Sequence, residues 1–451
     1  MKLIGRASTP DEGRWRIYNK IAAKILPLIL LGYTIASIDK VNVSFAKLQM
    51  GQDLGLSNSM YGFGAGVFFV GYCLFEIPSN VILHRVGARI WLARIMIVWG
   101  LLSACTMFVR TPEQFYVVRF LLGASEAGFY PGALLFLTNW FPRFARGQAV
   151  SVMLLGSSFS AIVGSPLSGA IMGFLDHLGG LRGWQWLFLV EGLPATLLGL
   201  TFLAVLPNRP AEASWLGEEE KKTVTDDLAL DHASQAKEGA RHRFGDAFRN
   251  VNIWCLVVAN FCNLCSLYGI QFWLPTIIQR AVHTTIFVTG LVAAGLTLIP
   301  CAVLIINGRH SDRTGERRWH ATWGFLATIA GLVIAGTFSD NAFLALAGLV
   351  LANSGVVMVS GTIFTLPGTF TLGAAAAVGF ALITTIGNFA GYASPFMIGV
   401  LRDATGNFSA AFFGMATAAM IGATAILAAP GLRTKRKESA KRALSPEIAR
   451  Q

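Results

Sequence analysis

A chain of 451 residues that is 54% hydrophobic and only 13% charged, with a mean hydropathy of +0.57, falls outside the soluble class, where about a quarter of residues carry charge. Its net charge of +12 sits in short clusters between apolar runs rather than in one basic stripe. That pattern excludes a nucleic-acid interface and reads as topology signals flanking a lipid bilayer.

The first twenty residues are polar and basic, and the first apolar run contains Asp39 and Lys40 without a small-residue cleavage site, so no cleaved signal peptide is expected. Taking about 20 residues per span, the hydropathy pattern predicts helices over 21–45, 58–82, 90–110, 114–140, 147–175 and 184–206. Six more follow, over 251–278, 285–307, 320–339, 341–366, 374–400 and 406–429. The expected fold class is an all-α membrane protein of 12 transmembrane helices in two six-helix pseudo-repeats. Its expected divisions are an N-terminal bundle over 1–206, a cytoplasmic linker over 207–250, a C-terminal bundle over 251–432 and a basic tail over 433–451. The linker carries Glu218-Glu219-Glu220-Lys221-Lys222 and Arg241-His242-Arg243, a charge run expected to be a solvated face. Lys and Arg concentrate before the first helix, in alternate loops and after the last, which predicts that both termini are cytoplasmic.

The fourth span holds two charges in an apolar setting. Arg119 and Glu126 are seven apart, within about 20° on one helix face and ~10.5 Å apart along the axis. A charge at mid-membrane costs roughly 2.5–3.5 kcal/mol on insertion scales, so such residues face a protein interior or wet cavity and mark a pathway. Cys262 and Cys265 have redox or zinc spacing but no second pair or histidine partner, and read as small residues on a helix face. Neither a phosphate loop, a metal constellation nor a nucleophile motif appears, so no cofactor, no metal and no enzymatic activity are expected.

An internal repeat is visible. Arg85 and Arg313 lie in similar loops 228 residues apart (313 − 85), and Pro166 and Pro395 lie in similar helices 229 apart (395 − 166). Two features sharing one offset near half the chain length fit a parallel repeat of six helices, with a site near the bilayer midplane.

Specific motifs narrow this further. Gly308-Arg-His-Ser-Asp312-Arg313-Thr-Gly315-Glu-Arg317-Arg318 resembles the signature loop of the major facilitator superfamily, with His84 where the first-half copy usually has aspartate. Asp39-Lys40-Val41-Asn42-Val43, Glu76-Ile77-Pro78-Ser79-Asn80, Glu126-Ala-Gly-Phe-Tyr-Pro131-Gly132, Trp140-Phe141-Pro142, Trp184-Gln-Trp186-Leu-Phe-Leu-Val-Glu191-Gly192 and Gly387-Asn388 resemble the anion:cation symporter family within it. That family includes bacterial permeases for tartrate, sugar acids and aromatic acids. The resemblance implies the major facilitator fold and proton-coupled symport of a small organic anion by alternating access, in a bacterial inner membrane and as a monomer. It also implies coupling roles at Asp39 and Glu126, and a second cation at Lys40, where the family usually has arginine.

The residues themselves assign roles as follows. Arg119 is always protonated and its fork matches a carboxylate bidentately; the competing expectation is a permanent salt bridge to Asp39 or Glu126. Lys40, Tyr72, Gln271, Thr384 and Asn388 complete the candidate substrate set. Asp39 and Glu126 are the candidate proton carriers, since a carboxylate that gains and loses a nearby cation changes its proton affinity. The expected sequence is that the anion displaces a carboxylate from Arg119 and the displaced group is protonated. Glu76, Arg85, Arg89, Glu191, Asp312 and Arg313 are candidate gate residues, with Glu76 and Glu191 expected to bind loop arginines. Anion exchange without proton coupling is the nearest alternative function; a transport-fold sensor is a remote one.

Overall fold

The computed structural model describes residues 12–239, 245–364, 366 and 373–432; the basic tail over 433–451 and Arg241-His242-Arg243 lie outside them. Among the described residues the chain is helical throughout. In order come α1 (Glu12–Val41), α2 (Val43–Asp53), α3 (Asn58–Val86), α4 (Ala88–Cys105), α5 (Pro112–Glu126), α6 (Phe129–Thr138), α7 (Arg143–Phe159), α8 (Ser165–Phe174) and α9 (Gly183–Val205). The linker holds α10 (Glu218–Gly239) and the short α11 (Gly245–Arg249), before α12 (Val251–Val282), α13 (Ile286–Thr314), α14 (Arg318–Thr337) and α15 (Ala342–Ile363). The last three are α16 (Gly373–Asn388), α17 (Ala390–Thr405) and α18 (Ser409–Ala428).

Among the described residues, eleven helical runs are long and apolar enough to cross a membrane. The remaining predicted span, 374–400, falls on α16 and α17, which meet at Phe389 and have 16 residues each. At 1.5 Å per residue each is ~24 Å long, short of a ~30 Å hydrocarbon core by itself. Helix starts follow local chemistry: Ser57 caps α3 through the Met60 N–H, and Thr111 caps α5, with Pro112 at its first turn. The predicted fifth span runs through α7 and α8, joined by a π turn over Ser160–Gly164.

The chain divides into two compact units. One takes the described residues up to Lys237 together with Gln271–Gly295; the other takes Glu238–Ile270 and the described residues from Leu296. In the first unit α3 lies against α5, α4 against α9 and α1 against α7. The α3–α5 approach depends on small residues, because a β-carbon on Gly123 would overlap the Phe68 carbonyl and one on Gly71 the Phe120 carbonyl. In the second unit α14 packs on α15 and α18, around a core containing Ile253, Phe325, Val359, Ile383 and Ile426.

The linker helix departs from the expectation of a wholly solvated face. One side of α10 is fixed to the first unit: Tyr18 donates to Asp227 at 2.9 Å, Arg146 pairs with Asp231 at 2.5 Å and Lys20 with Glu220 at 2.6 Å. Arg14 stands 3.6 Å from Asp227. The basic residues read only as topology markers thus also supply counter-charges for α10. The Lys20 ammonium, hydrogen-bonded to Glu220, holds that carboxyl below the usual carboxylate range, assisted by the Gly217 N–H.

Candidate functional site

The predicted fourth span is two helices. After Glu126 the backbone leaves the helix, with Gly128 at φ +90°, and resumes as α6 at Phe129. A β-carbon on Gly128 would run into the Ser79 side chain, so the left-handed turn and the close approach both require glycine. The break leaves backbone carbonyls without helical partners. Ser79 Oγ donates to the Ala127 carbonyl at 2.6 Å and accepts from the Trp91 indole at 2.9 Å. Such satisfaction is what irregular backbone needs at membrane depth.

This geometry puts Glu126 at the last residue of α5. A carboxylate there faces the negative end of the helix dipole, and its partner is supplied from α1: Lys40 Nζ lies 3.2 Å from Glu126 Oε1. Glu126 Oε2 is buried without a hydrogen-bond partner. Lys40 also lies 5.1 Å from the Tyr72 ring centroid and 5.8 Å from that of Phe68, within cation–π range.

Arg119 is 0% exposed. Among the described residues none of its Nε, Nη1 and Nη2 finds a hydrogen-bond partner, although Asp39, Tyr61 and Glu126 are its electrostatic neighbours. The guanidinium carbon sits 4.9 Å from the Phe68 centroid. The competing expectation of a permanent salt bridge to Asp39 or Glu126 is not what the structure shows: Glu126 pairs with Lys40, and Arg119 rests against an aromatic face. The physical reason is distance: two turns of α5, ~10.5 Å along the axis, separate Arg119 from Glu126, whereas Lys40 of α1 reaches Glu126 at 3.2 Å.

Asp39 is 1% exposed. Its Oδ1 accepts from Asn42 Nδ2 at 3.0 Å and from Ser103 Oγ at 2.5 Å, while Oδ2 has no partner. Arg119, Lys40, Tyr72, Asp39 and Glu126 are thus assembled in the first unit by α1, α3 and α5. Sequence reasoning missed Phe68, the ring beside both cations, and the neutral groups Asn42 and Ser103. Their one visible signal was spacing: Phe68 and Tyr72 are one turn apart on α3, and Asn42 follows Lys40 by two.

Other candidates lie elsewhere. Glu191, expected at a loop arginine, instead accepts from Ser168 Oγ at 2.7 Å and is 5% exposed. It is eight residues into a 23-residue helix, ~12 Å from its start, too deep for a loop contact. Glu76 is half-buried on α3, ten residues before its end. Arg85 is exposed at the end of α3, whereas Arg89 donates to the Leu203 carbonyl near the end of α9. Asp312 pairs with Arg317 at 3.2 Å, and Arg313 is exposed beside them. Gln271 is exposed next to Phe272, whose carbonyl accepts from Tyr61. In the second unit Asn388 Oδ1 accepts from Tyr268 at 3.5 Å, and the Thr384 hydroxyl turns back to the Phe380 carbonyl at 3.0 Å. None of the six cysteines is in a disulfide, and no metal-binding cluster of His, Cys, Asp or Glu occurs among the described residues.

Buried opposite charges on facing helices of an all-helical, multi-pass membrane protein mark a pathway for a charged solute, as in secondary transporters. Comparison with known proteins narrows the class. The Major Facilitator Superfamily model matches residues 29–395, and the chain belongs to that superfamily. It is 43% identical over 420 residues to NicT, a candidate metabolite transport protein of Pseudomonas putida, covering 93% of this chain and 96% of that protein. It is 41% identical over 416 residues to a candidate tartrate transporter of Agrobacterium vitis, covering 92% and 91%. Identity to the inner membrane transport protein RhmT of Escherichia coli is 32% over 417 residues, covering 91% and 94%. Among solved structures, a bacterial homologue of the human lysosomal transporter Spinster, inward-facing and occupied, aligns with a TM-score of 0.70 at 16% identity, covering 94% of this chain and 99% of that one. The inward-open xylose transporter XylE of Escherichia coli aligns at 0.69 and 16% identity, covering 89% and 94%. At these identities the structures establish the fold alone.

Proposed function

We propose that the protein is a proton-coupled symporter of a small organic anion, with hydroxy-dicarboxylates of the tartrate class as first candidates and both termini on the cytoplasmic side of a bacterial inner membrane. The observation that carries the proposal is Arg119, a fully buried guanidinium whose three nitrogens have no hydrogen-bond partner. A buried charge in that condition costs several kcal/mol, a cost that a carboxylate ligand offsets through two parallel charge-assisted hydrogen bonds. The name of the Agrobacterium vitis relative favours tartrate within this chemistry.

Lys40 links the anion to the proton. It holds Glu126 at 3.2 Å and is half-buried beside Tyr72. An anion arriving at Arg119 draws Lys40 toward itself, Glu126 loses its cation, and the released carboxylate takes a proton. Asp39, held by Ser103 and Asn42, is the second carboxylate within the field of Arg119. The displacement expected at Arg119 is in this form a displacement at Lys40.

The test is external alkalinisation by proteoliposomes when tartrate, a sugar acid or an aromatic acid is added. Symport removes protons from the outside with the anion, and Glu126→Gln suppresses that signal. Anion uptake without proton uptake would instead establish the exchanger.

A further inference from the structure

Behind the Arg119 cluster lies a second group of buried polar atoms, and its hydrogen bonds do not balance. We infer that Glu191 holds a proton in the resting protein and, through Asn42, forms a coupled carboxyl pair with Asp39, leaving Asp39 as an anion able to accept a transported proton alongside Glu126. The inference rests on the proton-coupled reading above and assigns Glu191 a positioning role within it.

Four elements and the residue between α1 and α2 build the group. Asp39 comes from α1, Asn42 from the α1–α2 junction, Ser103 from α4, Ser168 from α8 and Glu191 from α9. Ser103 and Asn42 both donate to Asp39 Oδ1, whereas Ser168 donates to Glu191 Oε1; the Asn42 side chain also interacts with Glu191. Three buried acceptor oxygens remain without a donor: Asp39 Oδ2, Asn42 Oδ1 and Glu191 Oε2. Each unpaired buried polar atom costs roughly 1–3 kcal/mol. Serines and one amide have no further hydrogens to offer, so the missing donor is a carboxyl O–H.

The surroundings say which carboxyl carries it. Charged groups acting on Asp39 are Arg119 and Glu126, both from α5. On Glu191 the charged neighbour is Asp39 alone among the described residues, while Ser168 of α8 and Asn42 of the α1–α2 junction are its neutral partners. Asp39 thus has two firm donors and a cation in range; Glu191 has Ser168, the shared Asn42 and a like charge. Two carboxylates so close do not both ionise readily, and the one without a cation keeps the proton. A protonated Glu191 turns one of the three orphans, its own Oε2, into a donor able to serve one of the other two.

The experiment is infrared difference spectroscopy of the purified full-length protein in liposomes without substrate, read at the C=O stretch of protonated carboxyls from about pH 5 to about pH 9. The expected result is a band at neutral pH that Glu191→Gln abolishes and Glu126→Gln leaves in place. Ser168→Ala keeps the band and moves its frequency, because the Ser168 hydroxyl bonds the reporting group; this variant decides the matter if Glu191→Gln folds poorly. Asp39→Asn keeps the band as well, now without a titrating neighbour. A spectrum unchanged in both Glu191→Gln and Ser168→Ala overturns the inference. Failure of the symport reading looks different: no external alkalinisation by wild-type proteoliposomes, whatever the infrared band does.

Discussion

Replacing Arg119 with methionine removes the charge and keeps most of the side-chain length. At an effective dielectric of ~20, an opposite unit charge ~4 Å away contributes about 4 kcal/mol, which is roughly a thousandfold in Kd. Arg119→Lys retains the charge and loses the fork. One charge-assisted hydrogen bond of ~1.5–3 kcal/mol goes with it, so affinity falls about 10- to 150-fold. Stability moves the other way, since a guanidinium that is 0% exposed and without hydrogen-bond partners destabilises the unliganded protein and Arg119→Met removes that cost. The assay is thermal shift on purified wild type and both variants with a panel of organic acids, where binding stabilises by RT ln(1 + [L]/Kd). Wild type is expected to shift with its preferred acid, Arg119→Met to melt higher without ligand and to lose the shift, and Arg119→Lys to fall between. Binding by Arg119→Met at wild-type affinity would refute the reasoning and reduce Arg119 to scaffold.

Lys40→Arg restores the residue usual in the resembled family and adds a second donor toward a carboxylate; a gain of about tenfold in affinity for the preferred acid, one extra hydrogen bond's worth, is expected by the same assay. Gly128→Ala forces a β-carbon into a left-handed turn at φ +90° and against Ser79, costing about 1–2 kcal/mol for the conformation alone; melting temperature should fall, and Ser79→Ala by itself should lower it as well, because the Ala127 carbonyl and the Trp91 indole lose their partner. Glu220 carries the pH dependence of α10 docking. Its folded carboxyl is held low by Lys20, so the pair's contribution is complete above the unfolded value of ~4.3 and lost as pH falls through the lower folded value. Proteolysis in the linker should therefore accelerate across that acid window, and Lys20→Met should flatten the response.

Hydropathy located the spans because bilayer thickness imposes one length on every crossing helix, and that length exceeds the errors of reading it. The same averaging hid the interruptions. Gly128 is one of 48 glycines, and nothing near it in sequence says that Ser79 and Trp91 will satisfy the carbonyl it frees. Arg119, Glu126, Asp39 and Lys40 were legible because charge in an apolar run is conspicuous. Their pairing was not, since the contact between Lys40 and Glu126 joins α1 to α5 and spacing along one helix says nothing about which residue of another helix meets it. Glu191 was legible as a buried acid, yet its neighbours were unreadable: Ser168 and Asn42 are neutral and carry no signal in composition. Phe68 was invisible for a related reason, being one of 32 phenylalanines until the backbone turned it toward two cations.

Charge balance in the first unit bears on how many protons accompany the anion. With Glu191 neutral, the charges of the Arg119 cluster itself, which leaves aside the separate Lys47, are Arg119 and the half-buried Lys40 against Asp39 and Glu126, which sum to zero. A dianion entering this environment leaves two uncompensated negative charges, and a monoanion leaves one. Uncompensated buried charge costs several kcal/mol per ion, more than the work of protonating a carboxylate near neutral pH at about 1.4 kcal/mol per pH unit. Asp39 and Glu126 can each accept one proton, so occupancy stays neutral at about two protons for tartrate and about one for a monocarboxylate. Simultaneous measurement of external alkalinisation and radiolabelled uptake gives this ratio directly, and neutrality further requires uptake insensitive to membrane potential. An equal ratio for dianion and monoanion, or potential-driven accumulation of either, would show that a carboxylate other than this pair carries the proton.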